Sequence, residues 1–283
     1  MREDNVDLSI IIVNYNSGRD LDCCLDALAV AAVPGRHEVI VVDNASHDGS
    51  EVIAIQPHLD VAMHRNMTNI GFGAGVNLGV SLAKGRYLLI LNPDVRVHRD
   101  SIATLMRYLD VHPDAGLCAP KLLNEDGSLQ YSCRTFPSVG TIIFRRTVLN
   151  RWFPDAKIVR RHLMTDWDHR TTREVDWVLG AAMLLRREAF VTSTVIDERF
   201  FLYFEDVDLC RRLSLAGWRV VYHPEGVMTH SHHRASARGW MTRSRFEHLW
   251  SWVKYEWKYR VAPYFGGNAV GGLVPRMSRG LHA

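Results

Sequence analysis

The sequence predicts an α/β protein: a doubly wound, mostly parallel sheet, then a smaller mixed half, then a C-terminal amphipathic helix. Three observations carry this. Short apolar, β-branched runs recur through roughly the first 120 residues with helical periodicity between them, the pattern of strands buried on both faces and joined by crossover helices. Three of those runs stop on polar side chains, Asn14, Asp43 and Asn92/Asp94, at the strand ends beyond which open α/β sheets bind ligands. Finally, Phe200-Phe201-Leu202-Tyr203-Phe204 leads directly into Glu205-Asp206-Val207-Asp208. Carboxylates pressed against aromatics are penalised unless they are paired or used, so this block predicts the rim of an active site.

The elements follow in order. Leu8–Val13 is a buried strand closed by Asn14-Tyr15-Asn16-Ser17-Gly18, and Leu21, Leu25 and Leu28 mark a helix. Glu38–Asp43 is a second strand, followed by a turn of helix-capping residues over 44–50. Val61–His64 is a third strand, with a helix from about Phe72 to Lys84 after it. Arg86–Leu91 is a fourth strand; a helix over about Asp100–His112 and a strand over Gly116–Ala119 complete the first half. Beyond it, Asn124–Ser128 reads as a hairpin turn, Arg151–Arg173 as a mobile charged loop, and Val175–Leu185 as core. Leu209 to Gly217 is a helix with the three acids at its N-terminus, where the macrodipole favours negative charge. Val227-Met228-Thr229 is a late strand. With no clean linker, residues 1–240 form one composite domain of two halves, about 1–120 and 121–240, and 241–283 a basic, aromatic helix and tail.

Composition sets limits. Of 283 residues, 47% are hydrophobic and 23% charged, ordinary for a globular chain. No apolar run approaches a membrane span and no signal peptide is apparent. Cys23, Cys24, Cys118, Cys133 and Cys210 lack metal-ligand spacing, and fit a reducing cytosol as small buried residues. Charge is unevenly spread: from Arg234 onward nine Lys/Arg face two Asp/Glu, against 25 basic and 29 acidic residues before it. A basic tail on a mildly acidic body predicts an anionic partner. Nucleic acid is not expected, since no binding motif accompanies the tail.

Several constellations carry chemistry. Asn69-Ile70-Gly71-Phe72-Gly73-Ala74-Gly75 opens a helix; its spacing departs from a dinucleotide fingerprint, leaving either a tight turn or close approach to a diphosphate. Asn92-Pro93-Asp94 offers two hard oxygen ligands suited to Mg²⁺ or Mn²⁺ on phosphate oxygens. In His230-Ser231-His232-His233, His230 and His232 share a strand face, and His230 completing a divalent site with Asp94 is the economical reading. On the C-terminal helix, Phe246, Leu249, Trp250, Val253 and Trp257 form an apolar stripe among Lys and Arg. That mixture suits a bilayer interface, and equally a helix packed on the body.

Together these residues resemble the family 2 inverting glycosyltransferases of the GT-A fold, in particular their bacterial rhamnosyltransferase-like branch. The resemblance runs from Leu8 to about Ser236. It rests on Ile-Ile-Val-Asn-Tyr-Asn at the start, Val-Val-Asp-Asn-Ala-Ser around Asp43, Asn69-x-Gly71-Phe72 with Asn77, and Leu-Asn-Pro-Asp-Val around Asp94. It continues through Gly127-Ser-Leu-Gln with Arg134 and Pro137, Gly180-Ala181, and the block from Asp197 to Asp208. Asn92 stands where the family has its first metal-motif acid, and Thr192–Ile196 replaces the usual Gly-Gly-Phe. The resemblance implies a Rossmann-like donor half, with Asp43 on the nucleobase, Asn14 and Tyr15 lining that pocket, and Asn69, Gly71, Asn92 and Asp94 serving the donor. Asp94 and His230 would hold Mg²⁺ or Mn²⁺, and Asp206 would be the general base. Trp177, Gly180, Ala181, Glu205 and Asp208 would serve the acceptor, although Glu205 or Asp208 could instead pair with Arg211 or Arg212. The implied donor is dTDP-rhamnose ahead of UDP-sugars, and the acceptor a glycan or polyprenyl-diphosphate-linked glycan. The implied place is the cytoplasm, peripheral on the inner face of the cell membrane. A sugar-nucleotide pyrophosphorylase would need a basic Gly-rich loop after the first strand, where Asn14-Tyr15-Asn16-Ser17 stands. A non-catalytic carbohydrate- or membrane-binding protein would not need Asp94 and Asp206 together.

Overall fold

The computed structural model describes residues 6–50, 59–146, 152–153, 155–190, 194–231 and 243–261. Its frame is a ten-stranded sheet. Strands β1 (Leu8–Asn14), β2 (His37–Asp43), β3 (Val61–Arg65) and β4 (Tyr87–Leu91) run parallel in the order β3-β2-β1-β4. Every residue of β1 and β4 is buried, as expected for strands covered on both faces. The sheet then turns mixed. Strand β11 (Ala182–Arg186) lies antiparallel between β4 and β6 (Ala115–Leu123), and β12 (Arg219–His230) runs parallel to β6 and antiparallel to β5 (Val95–Val97). The short β7 (Leu129–Gln130) and β9 (Arg173–Glu174) add to β6 and β12, while β8 (Cys133–Arg134) and β10 (Trp177–Val178) make a separate ribbon.

Alternation along the strands divides the core in two. Leu8, Ile10, Ile12, Val39, Val41, Leu89 and Leu91 face α1 (Gly18–Ala29) and α3 (Ser101–Val111), meeting Leu21, Leu25, Ile102 and Leu105. Ile11, Val13, Ile40, Val42, Leu88 and Ile90 face α2 (Phe72–Leu82) and α6 (Glu205–Leu215), meeting Val76, Val80, Leu209 and Leu213. Helix α2 lies close on β1 because a Cβ at Gly75 or Gly79 would stand 2.8 Å from Val13 or 2.4 Å from Ile11. Gly73 likewise abuts Ile196. These glycines serve helix-to-sheet packing.

Two expectations need correction. Residues 151–173 are not a structureless loop where they are described. Lys157–Leu163 forms α5, packed by α4 (Val139–Arg146), and Trp167 stacks on the fully buried His169 at 4.2 Å with Tyr222 edge-on at 5.3 Å. The charges that hid this order are on its outer face; the aromatics that create it are too sparse to show a period. The C-terminal helix α7 (Arg243–Glu256) and its π-helical turn Trp257–Val261 pack on the body through a different face from the apolar stripe. Ser251, Tyr255 and Lys258 are buried, while Leu249, Trp250, Val253 and Trp257 are 42–59% exposed. Phe246's side chain, His232, His233 and the tail beyond 261 lie outside the described residues.

Candidate active site

Three polar strand ends and one helix start converge at the carboxyl edge of the parallel strands. At the end of β1, Asn14 Nδ2 donates to Asp43 Oδ1 (2.8 Å) and lies within hydrogen-bond reach of Ser46 Oγ and Ser50 Oγ. Asp43 Oδ2 accepts from Ser46 N (3.0 Å), with Arg65 Nε 3.8 Å away. Both carboxylate oxygens are engaged and Asp43 is fully buried, so it organises the 44–50 turn. Tyr15, next in sequence, is 48% exposed. Asn44 Nδ2 reaches the Gly71 carbonyl (3.0 Å), and Asn69 Oδ1 accepts from Gly71 N (2.9 Å), so the loop entering α2 is tied to the same turn.

The end of β4 holds the second group. Asn92 N donates to the Ala181 carbonyl (2.8 Å), which fixes the Asn92-Pro93-Asp94 turn. Pairing of β5 with β12 sets His230 opposite Val95, and this brings His230 Nε2 to 3.3 Å from Asp94 Oδ1. Ser231 N donates to the Asp94 carbonyl (2.9 Å). Asp94 and His230, 136 positions apart in the chain, thus share one spot. Among the described residues no group of three or more His, Cys, Asp or Glu is gathered so as to hold a metal ion by itself.

The third group opens α6. Asp206 accepts from Gly180 N (3.0 Å) through Oδ2 and from Val207 N (2.8 Å) through Oδ1. Burial raises its pKa, and these bonds with the Arg134 charge pull it part of the way back. Glu205 beside it is buried, its Oε2 has no hydrogen-bond partner among the described residues, and desolvation followed by the Asp206 charge raises its pKa well above the usual range. Tyr203 and Phe204, immediately before, both take positive φ, +67° and +68°, a strained conformation for aromatic residues. Gly180 and Ala181 are consecutive, so the peptide that binds Asp206 adjoins the one that binds Asn92, and the start of α6 is tied to the Asn92–Asp94 turn.

Two of the expected acceptor residues lie elsewhere. Asp208 is fully buried, pairing with Arg212 (2.8 Å), Lys258 (2.5 Å) and the Tyr259 hydroxyl (2.8 Å); it faces the alternative partner Arg212, not the cleft. Trp177 is buried with Nε1 donating to the Thr135 carbonyl (2.9 Å), and supports the Arg134 guanidinium, 5.2 Å from its ring. Arg134 itself belongs beside Asp206, a placement that its lone position in the sequence did not disclose.

The segment carrying Asp206 is held from both sides. Asn77 of α2 accepts from Val195 N and Ile196 N (2.9 Å each) and donates to the Ile196 carbonyl. From α7 and its π turn, Ser251 donates to the Leu202 carbonyl, Lys254 to the Arg199 carbonyl, and Lys258 to Asp197 and Asp208. Lys258 therefore does not contribute its charge to the basic tail's surface. With Lys254 also engaged and the exposed Arg260 paired to Glu256, three of the nine basic residues of the tail have partners within the chain.

Comparison with known proteins agrees with this architecture. The chain is 31% identical to the N-acetylglucosaminyl-diphospho-decaprenol L-rhamnosyltransferase of Mycobacterium tuberculosis over 82% of its own length and 78% of that protein. It is 32% identical to the rhamnosyltransferase WbbL of Escherichia coli over 63% of its length and 70% of WbbL. The mannosyltransferase PcManGT of Pyrobaculum calidifontis, solved with GDP-Man and Mn²⁺, shares the fold at a TM-score of 0.54 and 17% identity, over 95% of this chain and 73% of that one. The sheet is thus of the GT-A type. Residues 9–190 match Glycosyl transferase family 2, and with the relatives above this establishes that the chain is a glycosyltransferase belonging to that family.

Proposed function

We propose that the protein is an inverting, cation-assisted transferase that moves rhamnose from dTDP-rhamnose to a hydroxyl of a polyprenyl-diphosphate-linked glycan, in the synthesis of a cell-wall or surface polysaccharide. The observation that carries the reading is Asp206: a half-buried carboxylate of raised pKa, fixed by two backbone N–H groups beside the Asn92–Asp94 turn. Inversion requires one base to take the acceptor proton as the sugar is transferred, and the fixed carboxylate of Asp206 supports that role for it. Glu205, buried and protonation-prone, needs no second ionised role, in contrast with glycoside hydrolysis.

Asp94 and His230 suit a Mg²⁺ or Mn²⁺ ion. Two protein ligands leave positions for diphosphate oxygens and water, the usual arrangement for such cations on phosphates. A cation bound there would neutralise the departing nucleoside diphosphate. Asp94 would otherwise repel that diphosphate. The turn built on Asn14, Asp43 and Ser46, with Tyr15 outermost, shapes the nucleobase end; Gly71 and Asn69 border it. Gly180, Ala181 and Arg134 line the acceptor end. The two rhamnosyltransferase relatives support the sugar, and the decaprenol relative supports a lipid-linked acceptor. The exposed stripe of Leu249, Trp250, Val253 and Trp257 supports peripheral contact with the inner face of the cytoplasmic membrane, since Trp among basic residues settles at such interfaces. Among the described residues no helix is long and apolar enough to cross a membrane.

The test is transfer itself, with dTDP-rhamnose or UDP-sugars as donor and an N-acetylglucosaminyl-diphospho-polyprenol as acceptor, with and without EDTA. Rhamnosylated lipid from dTDP-rhamnose, lost in EDTA and in Asp94→Ala, is the expected result. Transfer from a UDP-sugar alone would replace the donor. Nucleoside triphosphate consumption, or donor binding with no turnover of any donor, would replace the reading by a pyrophosphorylase or a non-catalytic protein.

A further inference from the structure

The hairpin between β6 and β7 has had no role so far, and we infer that through Gln130 it fixes which nitrogen of His230 carries the proton. The hydrogen-bond directions follow one from the next. Ser128 Oγ lies 2.6 Å from Asp126 Oδ1; a carboxylate accepts only, so the hydroxyl proton points at Asp126. Ser128 Oγ then accepts from Asn124 Nδ2 (2.8 Å). That turns Asn124 Oδ1 to Gln130, where it accepts from Nε2 (3.1 Å). Gln130 is left with Oε1 toward His230, 2.7 Å from Nδ1. An amide oxygen cannot donate, so Nδ1 must hold a proton.

The neutral imidazole is therefore the Nδ1–H tautomer, with its lone pair on Nε2, the atom 3.3 Å from Asp94 Oδ1. Asp94 alone would select the opposite tautomer, because a carboxylate prefers to face an N–H. Gln130 is a positioning residue that works against Asp94 and presents a ligand, not a donor, on the side Asp94 shares. Such outer hydrogen bonds commonly set ring orientation and basicity at metal-binding histidines. The usefulness of that lone pair rests on the proposed cation; the tautomer does not.

The test uses the full chain with ¹⁵N-labelled histidine and no added metal, at a pH where imidazoles are neutral. Two-bond ¹H–¹⁵N correlations identify the proton-free nitrogen, with His230 assigned by its loss in His230→Ala. In the unsubstituted protein the proton-free nitrogen is expected at Nε2; in Gln130→Leu it should move to Nδ1 as Asp94 takes the Nε2–H. Binding of Mn²⁺ in the presence of dTDP, followed by electron paramagnetic resonance, should weaken about 10–100-fold in Gln130→Leu. An Nε2–H tautomer in the unsubstituted protein, or an unchanged tautomer in Gln130→Leu, overturns the inference. The expected tautomer with no Mn²⁺ uptake upholds the inference and overturns the cation reading instead.

Discussion

Asp206 and Glu205 are neighbours of opposite use. A base must be ionised to act, and burial raises the Asp206 pKa, so the acidic limb of kcat/KM should fall above the ordinary aspartate range. Asp206→Asn should cut turnover by about 10²–10⁴-fold while dTDP binding, measured by calorimetry, stays near its original value. Wild-type turnover in that variant would remove the role. For Glu205 the readout is stability. Its folded-state pKa is raised, so ionising it costs stability; the cost is absent at pH below the unfolded carboxylate range and grows as pH rises through the folded value. Glu205→Gln should therefore raise Tm at pH 8, with the difference vanishing on acidification; a Tm that falls at pH 8 would mean that the carboxylate has a partner worth more than its desolvation. The sequence showed that these acids were special because aromatics surround them. It could not separate three carboxylates within four positions, because Asp208 is defined by Lys258 and Tyr259, fifty residues away.

At the scale of elements, the longer strands and helices of the first half were legible because their apolar periods are clean and β1, β2 and β4 end on polar residues, whereas the three-residue β5 (Val95–Val97) is too short to show a period. Helix α7 was only half legible. Its stripe of Leu249, Trp250, Val253 and Trp257 has the stronger hydrophobic signal, yet the face that packs is Ser251, Tyr255 and Lys258, chosen by hydrogen bonds and an ion pair that periodicity cannot weigh. Lys258→Met should be costly for this reason. Removing one partner of a buried pair leaves an uncompensated charge, worth about 3–5 kcal/mol, so the urea midpoint should drop and proteolysis near α7 should quicken. Because Lys258 also anchors Asp197 and Asp208 on either side of Asp206, the proposed base, the surviving folded protein should lose kcat more than KM. A variant with unchanged urea midpoint and unchanged kcat would show that the Asp197–Asp208 segment holds its shape unaided.

For the whole molecule, the family match ends at residue 190, while Asp206, His230 and Lys258 all lie beyond it. The matched segment supplies β1 to β4 and their polar strand ends, and the later chain returns along β12 and α7 to bring His230 beside Asp94 and to brace the segment carrying Asp206. If α7 also meets a bilayer, replacing Trp250 and Trp257 by Ser should abolish sedimentation with anionic vesicles without lowering the urea midpoint, since both side chains are about half exposed. Equal sedimentation of the two proteins would leave the stripe without a lipid partner. Because three basic residues of the tail are internally engaged, the contact should survive salt better than a purely electrostatic one. One helix thus touches the base segment with its inner face and the surroundings with its outer face. Linkage makes such an arrangement reciprocal: whatever steadies α7 from outside favours the conformation in which Asp206 is aligned, and whatever fills the cleft and favours that conformation tightens the grip outside. Vesicle affinity should then rise when donor and acceptor analogues are bound, so that the enzyme leaves a surface more readily after turnover than before it.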